Sequence, residues 1–270
     1  SQIPFGSGPS YLRFFENLGE TCEAVMGDPV YHLAKPRVAV IGVRSTSLGT
    51  WARRDRRGKA PICKVDPKWK ANAGTFGTVN RTQNIYAQMG QGQNYQFCAK
   101  GKSAFEAMLA PDYYAPKLLF MSFLGNASAT WARSRDAALR DVRAAMSQLP
   151  EGMPCVFMTS APPYKKNIVD QRVKAQEHLK WAFKETGGRC EFVAGLTYKT
   201  IAANQGNRKH FRQRRSGKVK DPFHPNQMAS KIFFALQRPS ICAAVNRALR
   251  GTGKRMVARS EAVDLGRAGK

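Results

Sequence analysis

Short apolar runs that alternate with segments of helical periodicity constrain the fold of this chain most strongly. The runs lie at 37–42, 117–123, 154–160 and 189–194, and Gly, Pro or Asn residues lie close to their ends. Strands that are buried on both faces have such continuous apolar sequences, and strands that alternate with helices form a parallel sheet covered by helices. The sequence therefore predicts the α/β class, with a three-layer α/β/α arrangement around a central parallel sheet of about five strands.

Six segments have the apolar spacing that is typical of helices. They are 11–26, 78–89, 103–109, 129–149, 169–186 and 228–249, and we expect the last to be broken at Pro239. These segments and the apolar runs divide the chain into three expected parts. They are a helical extension at 1–36 that packs on the domain, the main domain at 37–250, and a basic, flexible tail at 251–270.

The charge balance indicates a polyanionic partner or surface. Lys and Arg number 44 against 18 Asp and Glu, which gives a formal net charge of +26. Nucleic acid, an anionic glycan or an acidic lipid surface all fit this charge, but no nucleic-acid motif and no aromatic-rich platform for single strands accompanies it. The longest apolar run, 118–124, is far short of the roughly 20 residues that span a bilayer, so we expect no transmembrane segment in this chain.

The cysteines indicate an oxidising compartment rather than a metal site. There are six, and their spacing contains neither Cys-x-x-Cys nor a Cys/His cluster, so no zinc site is predicted. Three disulfides can form in 15 pairings; we expect Cys155 to pair with Cys190, at the starts of neighbouring strands, and Cys63 with Cys98. Export to the periplasm, cell envelope or exterior would follow. Because the chain begins at Ser1, we expect that a signal peptide, membrane anchor or expression tag has been removed.

The stretch Asp221-Pro-Phe-His224 places a carboxylate three residues before an imidazole. Residues at i and i+3 of a tight turn share a face, so Asp221 could orient His224 and stabilise its imidazolium. The other ring nitrogen would then be free to take a proton from a serine. The alternative interpretation is a surface turn, because Pro222 and Pro225 interrupt regular structure.

Three small-residue turns that could complete such a site precede this stretch. Ser45 follows the first apolar run, Gly77 ends a glycine-rich turn at 72–77, and Asn126 follows the run at 117–123. Ser45 and Asn126 therefore each follow a predicted strand. Because the carboxyl ends of parallel strands lie at one edge of a sheet, reactive groups of α/β proteins gather there.

Together the four motifs resemble, in sequence and order, those of the SGNH (GDSL-type) serine esterases, over almost the whole of 37–250. The resemblance implies a flavodoxin-like fold, Ser45 as nucleophile, His224 as base and Asp221 as its orienting carboxylate. It also implies an oxyanion hole formed by the Ser45 and Gly77 N–H groups and the Asn126 amide, without metal or organic cofactor. The chain departs from the family at four positions, where Val43, Arg44, Leu124 and Ala127 replace Gly, Asp, Gly and Asp.

The expected function is hydrolysis of O-acyl esters, acetyl or another short acyl group, through an acyl-enzyme on Ser45. Two alternatives stay open: an O-acyltransferase that acts on a cell-envelope carbohydrate, and a basic, non-catalytic polyanion-binding protein on the same scaffold. Cations follow the Ser45 turn at 53–70 and precede Asp221 at 208–220. We therefore expect an anionic glycan substrate, although the same cations could simply keep the loops solvated. The substrate-binding candidates are Arg53, Arg54, Arg214 and Arg215.

Overall fold

The computed structural model describes residues 8–26, 38–43, 46–54, 85–89, 100–111 and 116–265. Its helices are α1 Gly8–Glu16, α2 Leu18–Met26, α3 Leu48–Ala52, α4 Ala104–Met108, α5 Ser128–Arg133, α6 Arg135–Met146, α7 Lys166–Glu185, α8 Tyr198–Asn204 and α9 Gln227–Leu265. Its strands are β1 Ala39–Val43, β2 Ile85–Met89, β3 Leu119–Ser122, β4 Cys155–Met158 and β5 Glu191–Val193.

Every pairing between these strands is parallel. β1 pairs with β2, with Ala39 opposite Ile85, while β3, β4 and β5 pair in that order. The prediction of a mixed α/β protein with parallel strands is therefore confirmed. The expected single sheet of about five strands is not shown, because the described strands form one two-stranded and one three-stranded sheet.

Strand β4 lies at the centre of the packing and has helices on both faces. All four of its residues are buried, and successive side chains point to opposite faces. Cys155 and Phe157 belong to the apolar cluster that includes α6 and α7, whereas Val156 and Met158 belong to the cluster that includes α1 and α9. This two-sided burial explains the continuous apolar run in the sequence.

The strand β2 corrects one of the helix predictions. Residues 78–89 were expected to be helical, but 85–89 form a strand, while 78–84 lie outside the described residues. Ile85 and Tyr86 have high β propensity, and pairing with β1 satisfies the backbone groups of this segment. Tertiary pairing here outweighs the local helical pattern.

Two long predicted helices are each divided in two. Segment 11–26 forms α1 and α2, which meet at Asn17, and 129–149 forms α5 and α6, which meet at Ser134. Ser134 is extended and its side chain accepts a hydrogen bond from the Ala137 N–H, so it caps α6 and ends α5. Both N-terminal helices contact α9, and α1 also contacts β1.

The prediction of a break at Pro239 was wrong, because α9 continues through this residue. The φ angle of proline is compatible with a helix, although its ring removes one backbone hydrogen bond. Buried side chains precede and follow Pro239, among them Phe234 and Ile241, and their packing stabilises both halves of the helix. The backbone of α9 stays helical to Leu265, beyond the expected end at 249.

The disulfide predicted between Cys155 and Cys190 is present, with the Cα atoms 4.7 Å apart. A second disulfide, Cys22–Cys242, joins α2 to α9 over a sequence separation of 220 and was not expected. Cys63 and Cys98 lie outside the described residues. Within the described part of the chain, every helix is too short or too polar to cross a lipid bilayer.

Candidate active site

Asp221 and His224 form the hydrogen-bonded pair that the sequence predicted. The Nδ1 atom of His224 lies 2.7 Å from Asp221 Oδ2, and Asp221 Oδ1 accepts hydrogen bonds from the backbone N–H groups of Phe223 and His224, at 3.0 and 3.2 Å. A carboxylate only accepts, so Nδ1 carries the proton in this contact. The Nε2 atom of His224 is therefore left as the basic nitrogen.

The surroundings of Asp221 favour its ionised form. Partial burial acts to raise the pKa of Asp221, but the hydrogen bond and charge of His224, together with the two backbone N–H donors, outweigh it. The net effect is a pKa below the ordinary value. Asp221 is thus suited to hold an imidazolium at neutral pH.

Backbone hydrogen bonds hold this turn against the loop that follows β4. The Tyr164 N–H donates to the Pro222 carbonyl at 2.8 Å. Phe211 forms an antiparallel bridge with Pro225, and the ring of Tyr164 packs edge-on against that of Phe211. The Asp221–His224 pair therefore lies at the carboxyl end of a buried strand, where α/β proteins place reactive groups.

Asn126 lies beside the predicted nucleophile turn. It belongs to a 3₁₀ turn, Gly125–Ala127, that follows β3, and its Nδ2 donates to the Thr46 carbonyl at 2.8 Å. An amide NH₂ group has two donors, so this bond fixes the side chain and leaves one N–H for another acceptor. Thr46 follows Ser45 directly, and this contact brings two of the predicted motifs together.

The residues that follow Ser45 are held by side-chain hydrogen bonds. Thr46 Oγ1 donates to the Val43 carbonyl at 2.7 Å and accepts from Trp51 Nε1 at 3.0 Å. Ser47 caps α3 by accepting from the Thr50 N–H. A Cβ atom at Gly49 would lie 2.8 Å from the carboxylate of Asp141, so the motif glycine allows α3 to approach α6 closely.

Helix α7 connects the two turns through successive residues. Gln171 Nε2 donates to Ser128 Oγ at 3.0 Å, and Ser128 Oγ in turn donates to the Gly125 carbonyl at 2.9 Å. The next residue, Arg172, donates from Nη1 to the Phe223 carbonyl at 3.4 Å. Adjacent residues of α7 therefore contact the segment of Asn126 and the Asp221–His224 turn.

Arg172 is a site residue that the sequence analysis missed. It is only 2% exposed, and burial lowers its pKa to about 10, although the charge of Asp221 acts to raise it. Arg172 occupies the apolar stripe of α7, three residues from both Val169 and Ala175, which are buried. A cation in an apolar stripe was the signal that could have identified it.

The four predicted substrate-binding arginines are all exposed, but they differ in their partners. Arg54 is paired with Glu106, with Nε 2.9 Å from Oε1. Arg53, Arg214 and Arg215 form no ion pair with any residue that the structure describes. Arg214 and Arg215 lie in a tight turn closed by the Gln213–Val219 bridge.

Ser45, Arg44 and Gly77 lie outside the described residues. The other departures from the family pattern have packing roles. Val43 and Leu124, which stand where the family has glycines, are 2% and 1% exposed and belong to one apolar cluster. Ala127 is partly buried against the same cluster.

No family model, curated protein or solved structure matches the chain. The described residues contain no group of three or more His, Cys, Asp or Glu side chains arranged to hold a metal ion. The functional interpretation therefore rests on the geometry of the two turns.

Proposed function

We propose that this protein is a serine-dependent ester hydrolase that removes acetyl or other short O-acyl groups, through an acyl-enzyme on Ser45. The observation that carries the proposal is the pairing of His224 with Asp221 at 2.7 Å, in a turn that α7 contacts through the residue next to the one that contacts the Asn126 segment. The four residue types are those that acyl transfer requires: nucleophile, base, orienting carboxylate and oxyanion donor.

In the proposed mechanism the Ser45 hydroxyl attacks the ester carbonyl while His224 Nε2 takes its proton. The imidazolium is stabilised by Asp221. The negative charge on the carbonyl oxygen is accepted by the free N–H of Asn126 and by the backbone N–H groups of Ser45 and Gly77. His224 then returns the proton to the leaving alkoxide, and it activates water to release the acyl group.

We also propose that the chain belongs to the SGNH family and has the flavodoxin-like sheet of that family. The order β2-β1 in one sheet and β3-β4-β5 in the other is compatible with the flavodoxin-like order 2-1-3-4-5. We also infer export, because the described residues form two disulfides, whose cysteines are at most 3% exposed.

An anionic glycan is the proposed substrate. The exposed side chains of Arg53, Arg214 and Arg215 belong to the segments that flank Ser45 and Asp221 in sequence, and the net charge is +26. Positive charge around a cleft raises the local concentration of an acidic ligand. Arg54 contributes less to this field, because Glu106 neutralises it.

A labelling experiment tests the nucleophile most directly. A fluorophosphonate reacts with an activated serine, and peptide mass spectrometry then locates the adduct. We expect the adduct on Ser45, loss of labelling in Ser45→Ala and His224→Ala, and retained labelling in Ser47→Ala, which removes only the cap of α3. His178→Gln is a matched control for the histidine, since His178 contacts the Trp131 carbonyl instead.

Turnover of nitrophenyl acetate and of acetylated acidic glycans then identifies the reaction. Free acetate as product supports a hydrolase, whereas acetate recovered on an added sugar would assign a transferase. Labelling that persists in Ser45→Ala would contradict the nucleophile assignment. Glycan binding without labelling or turnover would instead favour the non-catalytic binding protein.

A further inference from the structure

A cleft of about 560 Å³ lies between the N-terminal helices and α9. Its walls combine three cationic side chains, uncharged polar groups and an apolar patch. The cations are Arg13, Lys231 and Arg238, and the uncharged polar residues are Ser10, Asn17, Thr21 and Gln227. The apolar patch consists of Phe14, Phe234 and Ala235. Among the described residues that line it, none is acidic. This combination suits an organic anion rather than a neutral apolar ligand.

The cations of the cleft are not neutralised by the protein. Arg13, Lys231 and Arg238 form no ion pair with any residue in the described part of the chain. The Nε atom of Arg238 is buried without a hydrogen-bond partner. Because a buried donor without a partner destabilises the fold, this geometry is expected where a ligand supplies the acceptor.

Ser10 provides a second, independent indication of a ligand. The residue is only 8% exposed, it lines the cleft, and its Oγ has no hydrogen-bond partner. Buried hydroxyl groups in native proteins are nearly always hydrogen-bonded. Ser10 is also in the first turn of α1, and Gln227 begins α9, so one end of the cleft lies beside the N-termini of both helices.

The cleft adjoins the candidate active site through α9. Gln227 lines the cleft and follows His224 by three residues, so their Cα atoms are no more than about 11 Å apart. On the other side, Tyr11 follows Ser10 and hydrogen-bonds through its hydroxyl to Ser122 Oγ at the end of β3, 3.1 Å away. Asn126 lies four residues after Ser122.

From these observations we propose that the cleft binds the carboxylate-bearing sugars of an acidic glycan. The identification of the bound glycan as the substrate rests on the proposed function. Binding of the glycan in the cleft does not require turnover. The cations and Ser10 hold the carboxylates, and the Phe14 and Phe234 rings, stacked with centroids 4.8 Å apart, provide the apolar wall for the sugar.

Calorimetric titration of tetragalacturonate tests this inference, with its full methyl ester as a matched ligand without charge. We expect the methyl ester to bind at least about 10-fold more weakly than the acid. The variant Arg13→Ala/Lys231→Ala/Arg238→Ala should also bind the acid at least about 10-fold more weakly, equivalent to about 1.4 kcal/mol. The charge-matched control, Arg140→Ala/Lys174→Ala/Lys180→Ala, removes three exposed cations of α6 and α7 and should change the affinity by less than about 3-fold.

A serine variant separates binding from folding. Ser10→Ala removes a buried hydroxyl that has no partner, so we expect unchanged or raised thermal stability but a tetragalacturonate affinity about 5-fold lower. Circular dichroism melting checks that the triple variants are folded.

Three results would overturn the inference: equal losses in both triple variants, equal binding of acid and methyl ester, or unchanged affinity in the cleft variant. Tetragalacturonate contains no ester, and the methyl ester is titrated against Ser45→Ala, which cannot form an acyl-enzyme, so the outcome is independent of catalysis. A protein that binds tetragalacturonate through the cleft but hydrolyses no ester would support this inference and contradict the proposed function.

Discussion

Arg172 Nη1 donates a hydrogen bond to the Phe223 carbonyl, 3.4 Å away, although the whole arginine is only 2% exposed. Phe223 lies inside the turn that holds Asp221 and His224. A buried cation therefore supports the backbone between the two residues of the proposed dyad.

Replacing Arg172 by Met should separate stability from activity. Burial lowers the pKa of Arg172 to about 10, below its unfolded value, so its charge destabilises the fold at every pH below about 10. Met fills similar space without charge, and we expect an equal or higher melting temperature. We expect kcat for nitrophenyl acetate to fall about 10-fold because the turn loses its support. A Met variant that is both fully active and less stable would contradict this role.

Asp221→Asn should remove an acid-sensitive contribution to stability. The folded pKa of Asp221 lies below the ordinary value of an aspartate, so its ionised form stabilises the fold above that ordinary value. This stabilisation is lost as the pH falls through the folded pKa. Urea unfolding of wild type and variant should therefore differ by a constant amount above about pH 5 and converge below the ordinary Asp value. The same variant should lose about 100-fold or more in esterase kcat.

Asn126→Ala and Asn126→Asp should each reduce kcat by about 10²–10³-fold with little change in KM, because an oxyanion donor acts mainly in the transition state. Asp has nearly the same shape but donates no hydrogen bond and adds negative charge. Its effect should therefore equal or exceed that of Ala. Ser128→Ala, which removes the neighbouring hydroxyl bonded to Gly125, is the matched control. Comparable loss in all three variants would indicate a disturbed turn instead.

The two described disulfides should differ in their contribution to stability. Cys22–Cys242 closes a loop with a sequence separation of 220, and Cys155–Cys190 one of 35. In the chain-entropy description, the longer loop stabilises by about 5 kcal/mol and the shorter by about 4 kcal/mol. Denaturant unfolding of Cys22→Ala/Cys242→Ala and Cys155→Ala/Cys190→Ala compares them. A larger loss for the short loop would show that local packing outweighs loop entropy.

Local features of this protein could be predicted from the sequence, and features that depend on distant contacts could not. The Asp221–His224 contact depends on a spacing of three residues within one turn, and the apolar run of β4 is buried on both faces. By contrast, the strand Ile85–Met89 is defined by its pairing with β1.

The contacts around the candidate site illustrate the same limit. Asn126 and Thr46 are 80 residues apart in sequence, so no local pattern indicates that they are in contact. The hydrogen bond from Arg172 to Phe223 likewise follows from how α7 packs beneath the turn. The cleft forms because the N-terminal helices pack against α9, which is more than 200 residues away in sequence, and no local pattern indicates this contact.

The Cys22–Cys242 bond also determines how proteolytically cleaved protein would migrate on a gel. A protease cut at any peptide bond between the two cysteines leaves both fragments covalently joined, since one carries Cys22 and the other Cys242. Nicked and intact protein would then migrate as species of equal mass on a non-reducing gel and separate only after reduction. Purity of a preparation should therefore be judged under reducing conditions.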